Sequence, residues 1–232
     1  MEQLKGVITG DIVGSRKFAD YRKLIRSLET VMYDLEESGL VRPGMWEIFK
    51  GDSFQVLMEA EDVVAGALMI RAGLLGRIYR LKSVLILEDV LEEPADARLS
   101  VGIGKVYMDG SRVTDLFGEG LMISGMALDS ISQESLRLLV VTPDAALNRH
   151  YALISRMLDA LIGEWTENSA QAVYRSLLTG ETQQEMGRFF GISQSSVHHR
   201  LKGAYINQVE HAITYFREQV RLLQDGGSEP VS

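Results

Sequence analysis

The chain has 232 residues, 46% of them hydrophobic and 24% charged, with no cysteine and a formal net charge of −8. These values exclude a disordered acidic chain, a collagen-like repeat, a disulfide framework, a thiolate zinc site and a cysteine nucleophile. An acidic protein is no generic polyanion binder, so any nucleic-acid contact has to be local.

Leu4 to Val13 reads as a short apolar strand running into the polar, glycine-containing stretch Gly10-Asp11-Ile12-Val13-Gly14-Ser15. The start, MEQLKGVITGDIV, lacks the basic flank and long apolar core of a signal peptide. From about Phe18 to Ser38, Tyr21, Leu24, Ile25, Leu28, Val31, Met32 and Leu35 recur at three- and four-residue spacing, which predicts an amphipathic helix. Gly39 and Pro43-Gly44 stop it. Trp46 to Phe49 and Phe54 to Met58 flank Lys50-Gly51-Asp52-Ser53 and read as a hairpin. A second helix is predicted over Glu61 to Leu81. Its stretch VVAGALMIRAGLLG is too short to cross a bilayer and carries Arg71, so a buried helix is expected. An acidic loop from Leu87 to Ala97 and a strand from Leu99 to Val106 follow. Next come a hairpin through Met108-Asp109-Gly110, a helix from about Gly120 to Ser132 and a strand from Leu136 to Val141.

The order β-α-β-β-α-β, followed by a further helix and strand, predicts an α+β fold of ferredoxin-like type, a central antiparallel sheet with helices on one face. In that topology the end of the first strand and the turn between the second and third lie at one sheet edge, so Asp11 and Asp52 should converge. From about Ala145 the pattern becomes all-helical, with helices over Ala145 to Ile162, Ala170 to Leu178 and Tyr205 to Leu223, and a frayed tail. Two domains are expected, 1–145 and 146–232. No internal repeat is evident.

Two aspartates at one edge suit Mg²⁺, which takes hard oxygen ligands and leaves positions for substrate phosphates. The backbone of Ile12, Val13, Gly14 and Ser15 leads toward a helix start and favours phosphate, with Arg16 and Lys50 supplying positive charge. Together these form the electrostatic apparatus of phosphoryl or nucleotidyl transfer. The competing reading is plain: Asp beside Gly is common in turns.

Gly10-Asp11-Ile12-Val13-Gly14-Ser15, Phe49-Lys50-Gly51-Asp52-Ser53-Phe54 and Leu99-Ser100-Val101-Gly102-Ile103-Gly104-Lys105-Val106 resemble three motifs of class III nucleotide cyclases. ITGDIVGSR, FKGDSFQ and a late helix-turn-helix together resemble the SatD family more closely, over most of the chain. The resemblance implies a nucleotide-cyclase-like domain followed by a DNA-binding region. It also marks departures. The cyclase Asn and Arg expected on the helix after the late strand have no counterpart in Gly120 to Asp129, where Ser124 stands instead, and Ile48 falls about where a substrate-reading lysine is expected. Arg112 or Arg137 could replace the missing donor across a dimer. No P-loop, no G-x-S-x-G elbow and no H-E-x-x-H motif is present.

TQQEMGRFFGISQSSVHHRLKGAY carries the marks of a helix-turn-helix. Thr182 and Glu185 form a capping box, Gly187 is small where two helices cross, Gly191 sits at the turn, and Ser193 caps the second helix. Met186, Phe190, Ile192, Val197 and Leu201 make a small core. The second helix would present Gln194, Ser195, Ser196, His198, His199 and Lys202 to DNA, with Arg200 reaching phosphate. The competing reading is a packing hairpin, favoured by the many nearby acids. The apolar stripe of Tyr205 to Leu223 suits core or a dimer seam. The leading expectation is a cytoplasmic, homodimeric, ligand-responsive DNA-binding regulator with no membrane partner. Its N-terminal part would bind Mg²⁺ with a nucleotide or another phosphorylated small molecule. The alternatives are a divergent cyclase or nucleotidyl transferase, and a degenerate interaction protein.

Overall fold

The computed structural model describes residues 4–49, 51–77 and 91–225. Lys50, the predicted helix end at 78–81, the start of the predicted acidic loop and the tail lie outside the described residues. Strand β1 (Leu4–Ile12) is central, antiparallel to β3 (Ser53–Glu59) on one side and to β4 (Ala97–Lys105) on the other. Strand β2 (Trp46–Phe49) lies outside β3, and a fifth strand, Leu138–Val141, runs parallel to β4 at the far edge.

Along β3 burial alternates with period two, as a pleated strand with one core face requires, whereas β4 is buried almost throughout. Ile8, Ile12, Phe54, Val56, Leu99 and Val101 are buried in one core beneath helices α1 (Tyr21–Glu37) and α2 (Val63–Leu75). Helix α1 begins later than predicted because Ser15–Lys17 forms a 3-10 turn and Asp20 is the N-cap, accepting from the Arg22 and Lys23 N–H groups. Helix α2 is buried on every side through Leu74, which is why its sequence is apolar all round.

The predicted hairpin near Met108 is a two-stranded sheet, β5 (Tyr107–Met108) with β6 (Leu116–Phe117). The helices do not keep to one face as the order predicts: α3 (Glu119–Ser132) covers the second face of β1 and β4. There Thr9 and Ser124 share a hydroxyl hydrogen bond of 2.8 Å, and the Ser100 hydroxyl donates to the Ser124 carbonyl.

Among the described residues no strand pairs with the outer edge of β7 (Leu138–Val141), and α4 (Ala145–Gly163) runs along it. The side chains of Asn148, Ser155 and Asp159 accept from the N–H groups of Thr142, Val140 and Arg137 at 2.8, 3.1 and 3.0 Å. Seven- and four-residue spacing puts these acceptors on one helical stripe, so polar side chains replace the missing strand partner.

Helices α5 (Glu167–Thr179), α6 (Gln183–Phe190), α7 (Gln194–Gly203) and α8 (Ile206–Gln224) complete the chain. Helix α5 packs on α2, and the Tyr174 hydroxyl donates to Asp34 on α1 at 2.8 Å. Arg217 and Arg221 of α8 pair with Asp62 and Glu61 at the start of α2. One apolar cluster runs from Ile8 through Leu68 and Val173 to Val197 and Phe216. The core is therefore continuous across residue 145, which is itself the first residue of α4.

Candidate functional site

Asp11 is the penultimate residue of β1. It stands opposite Ser53 on β3 and opposite Arg98 on β4. Asp52 precedes Ser53 in the β2–β3 turn, so the two aspartates lie at one end of neighbouring strands. Gly51 takes a left-handed conformation in that turn, and a Cβ added there would lie 3.2 Å from the Tyr21 hydroxyl. Tyr21 opens α1, so the first turn of that helix lies over the Asp52 turn.

The Arg98 guanidinium donates to Asp11 Oδ2 at 3.2 Å, while Asp11 Oδ1 is buried without a hydrogen-bond partner among the described residues. Burial raises the Asp11 carboxyl above the usual aspartate range; Arg98 opposes this and the Asp52 charge adds to it. Repulsion between the aspartates is thus the lesser cause, and desolvation the greater. Burial and the Asp52 charge also raise the Tyr21 phenol. Among the described residues no group of three or more His, Asp or Glu stands together as a metal cluster. An ion here would have two carboxylates from the chain and would draw its other oxygens from backbone, water or ligand.

The loop after β1 differs from expectation. Ile12 is a strand residue paired with Ala97 and its side chain is core. The Val13 N–H donates to the Asp96 carbonyl at 2.8 Å. The Val13 N–H is thus engaged by Asp96 and the Ile12 side chain by the core, so neither of those two groups is offered to a phosphate. Helix α1 does not open onto the loop either, since Asp20 satisfies its first N–H groups. Gly14, Ser15 and Arg16, in the following 3-10 turn, remain as the candidates on this side. Lys50 lies outside the described residues. Ser124, the position read as replacing a sugar-orienting amide, is fully buried against Thr9 and donates to the Leu121 carbonyl, so it cannot meet a ligand. Arg112 pairs with Glu47 and Arg137 with Asp96.

A buried ionic cluster underlies the loop. Arg71, 1% exposed, donates through Nε and NH2 to both oxygens of Asp96 and through NH1 to Asp159 of α4. Arg137 adds a bond to Asp96 at 2.8 Å. Burial pushes the Asp96 carboxyl up, but the charges and hydrogen bonds of Arg71 and Arg137 outweigh it and hold the group below the usual range. Asp96 thereby fixes the Val13 backbone on one side and ties α2 to α4 on the other.

The second candidate surface is α6 and α7. Thr182 and Glu185 form the reciprocal capping box, and Ser193 accepts from the Ser196 N–H at 3.1 Å. Gly191 has φ 65°, which favours glycine, and a Cβ at Gly187 would lie 2.9 Å from the Ile192 carbonyl. Met186, Val197 and Leu201 are buried between the helices. Gln194, Ser195, Ser196, His198, His199 and Lys202 are exposed on α7, and Arg200 is half-buried with its guanidinium 5.5 Å from the Phe190 ring. The Trp165 indole donates to the Ala204 carbonyl at 3.0 Å and anchors the end of α7.

Sequence reasoning missed Arg98, Tyr21 and the Arg71–Asp96–Asp159 cluster. Strand pairing could have pointed to Arg98, which sits where an antiparallel neighbour of Asp11 must fall. An arginine inside an all-apolar helix was the signal for a buried carboxylate partner.

No family model matches the chain, and no curated protein does. Among solved structures, two described as bacterial light-regulated adenylyl cyclases are similar. One is 15% identical, covering 60% of this chain and 76% of that one, with a TM-score of 0.38. The other is 16% identical, covering 60% of this chain and 43% of that one, with a TM-score of 0.39. At that TM-score neither likeness bears on function. Among the described residues no helix is long and apolar enough to cross a membrane.

Proposed function

We propose that this chain is a DNA-binding regulator that reads DNA through α7, with the Asp11–Asp52 end of the sheet as its ligand site. The observation that carries the reading is the α6–turn–α7 unit. Its apolar residues close one small core, while Gln194, Ser195, Ser196, His198, His199 and Lys202 of α7 present exposed polar side chains. In this reading the unit is a helix-turn-helix and α7 enters the major groove, where Gln194 reads a base edge and Lys202 meets phosphate. The weak positive charge of the module favours a homodimer, which doubles the contacts.

Selection of double-stranded DNA by the purified chain, followed by anisotropy titrations across a salt series, tests this. Lys202→Ala should weaken binding to all sequences and reduce the salt slope by about one unit. Gln194→Ala should relax base preference by about 1–3 kcal/mol. Absence of any salt-dependent DNA binding would end the reading.

For the sheet end, the order β2-β3-β1-β4 supports a ferredoxin-like, cyclase-like reading. The orphaned Asp11 Oδ1 is an oxygen with room in its valence for a cation. Mg²⁺ held by Asp11 and Asp52 would supply charge neutralisation for a nucleotide or another phosphorylated ligand. The Gly14–Arg16 backbone and Arg16 would meet phosphate, and Arg98 would exchange its partner as the ion arrives. Binding without efficient turnover is expected, since preorganised donors for a transferring phosphate are missing from α3 and losing one commonly costs ~10²–10³ in rate. Thermal-shift titrations with ATP and GTP, with and without Mg²⁺, test binding. Multiple-turnover formation of cyclic product, abolished by Asp11→Ala, would favour the enzyme alternative.

A further inference from the structure

At the end of β1 away from Asp11, a cavity of about 180 Å³ opens between the end of β3, the loop after α1 and the β5–β6 sheet. Leu40, Leu57, Val106, Leu116 and Tyr107 supply its apolar lining. Tyr107 is stacked on Phe117, centroids 5.5 Å apart and planes at 23°, which extends a flat aromatic wall outward. An engineered cavity of about 150 Å³ with apolar lining holds a benzene ring, so this volume suits one ring and a short substituent.

Charge at the mouth chooses among such molecules. Lys5 and Arg42 both converge on Glu59, Lys5 at 2.7 and 2.6 Å and Arg42 at 3.0 Å. Among the described residues of the lining, Lys5 and Arg42 carry two positive charges against the one negative charge of Glu59, on a chain whose net charge is −8. The Arg42 side chain is 76% exposed and touches Glu59 through one nitrogen, so its planar fork can take a second carboxylate without breaking the Lys5–Glu59 pair.

We propose that this cavity binds a small aromatic monocarboxylate, its ring against Leu57 and Tyr107 and its carboxylate on Arg42. The inference rests on neither the Asp11–Asp52 reading nor the α7 reading. The apolar lining provides affinity in proportion to the area removed from water, and Arg42 provides the selection for an anion.

Phenylacetate and its uncharged isostere phenylacetamide are titrated into the full ¹⁵N-labelled chain, with amide shifts of Leu57, Val106 and Leu116 as the readout. Phenylacetate should saturate these shifts with a Kd of order 0.1–1 mM, about what a ligand of this size attains. Phenylacetamide should bind about 2- to 5-fold more weakly, the range of an exposed ion pair. Arg42→Gln should abolish that difference and keep the ring bound. Leu57→Trp, which fills the cavity, should abolish binding of both. Should that variant fail to fold, Arg42→Gln at its exposed position still decides. No saturable shift, equal affinity for acid and amide, shifts outside the cavity, or full affinity in folded Leu57→Trp would each overturn the proposal.

Discussion

Asp11 shows how one side chain can be stabilised and penalised together. Arg98 attracts its charge, but burial and Asp52 disfavour it, and the net direction is upward. The folded chain therefore binds more protons than the unfolded chain between the ordinary aspartate range and the raised value, and stability falls as pH rises through that window. Asp11→Asn, which still accepts from Arg98, should melt higher than the parent at neutral pH, and the gap should close below the ordinary aspartate range. Millimolar Mg²⁺ should narrow the neutral-pH gap by stabilising only the parent. Melting curves across a pH series read both effects, and a lower-melting Asn variant at neutral pH would show that Arg98 outweighs burial. Asp96 has the opposite sign. Its depressed carboxyl contributes stability above the ordinary aspartate range, lost as pH falls through the folded value. Arg71→Met strands Asp96 and Asp159 without their shared cation and should cost about 3–5 kcal/mol in denaturant unfolding. A loss below about 1 kcal/mol would mean that Arg137 and water suffice.

At the scale of elements, the α6–α7 unit is held by a close approach and two caps. A Cβ at Gly187 would meet a carbonyl, which cannot swing aside as a flexible side chain would. Gly187→Ala should therefore splay α7 from α6 and speed amide exchange across both helices while α1 and α2 keep their protection. Thr182→Ala removes the capping box and should cost about 1 kcal/mol, with less change in the packing of α7. Equal exchange in Gly187→Ala and parent would show that the turn absorbs the extra carbon. The α4–β7 contact works differently: the helix shields a strand edge by presenting three acceptors at the spacing of its own turns.

Across the whole molecule, the helical half is built onto the sheet half. The Val31, Gly73 and Tyr174 contacts join α1, α2 and α5, and Arg71 joins α2 to α4. Calorimetry should give one transition whose van't Hoff and calorimetric enthalpies agree. A fragment ending at residue 145 exposes the α5 face of α2 together with Arg71 and should bind hydrophobic dyes and aggregate. A stable, monomeric 1–145 fragment with native melting would show two separable domains instead.

The elements themselves were legible in the sequence. Apolar spacing located α1, Thr182 with Glu185 and Ser193 located the starts of α6 and α7, and the β-α-β-β-α-β order brought Asp11 and Asp52 to one end of the sheet. These signals are local or topological, and periodicity and capping act within a few residues. What faces Asp11, what occupies the Val13 N–H and how deep Ser124 lies depend on partners 83 to 115 residues away in the chain. Only the tertiary structure decides these, because desolvation and hydrogen-bond competition depend on which groups the fold brings together and how completely it removes water from them.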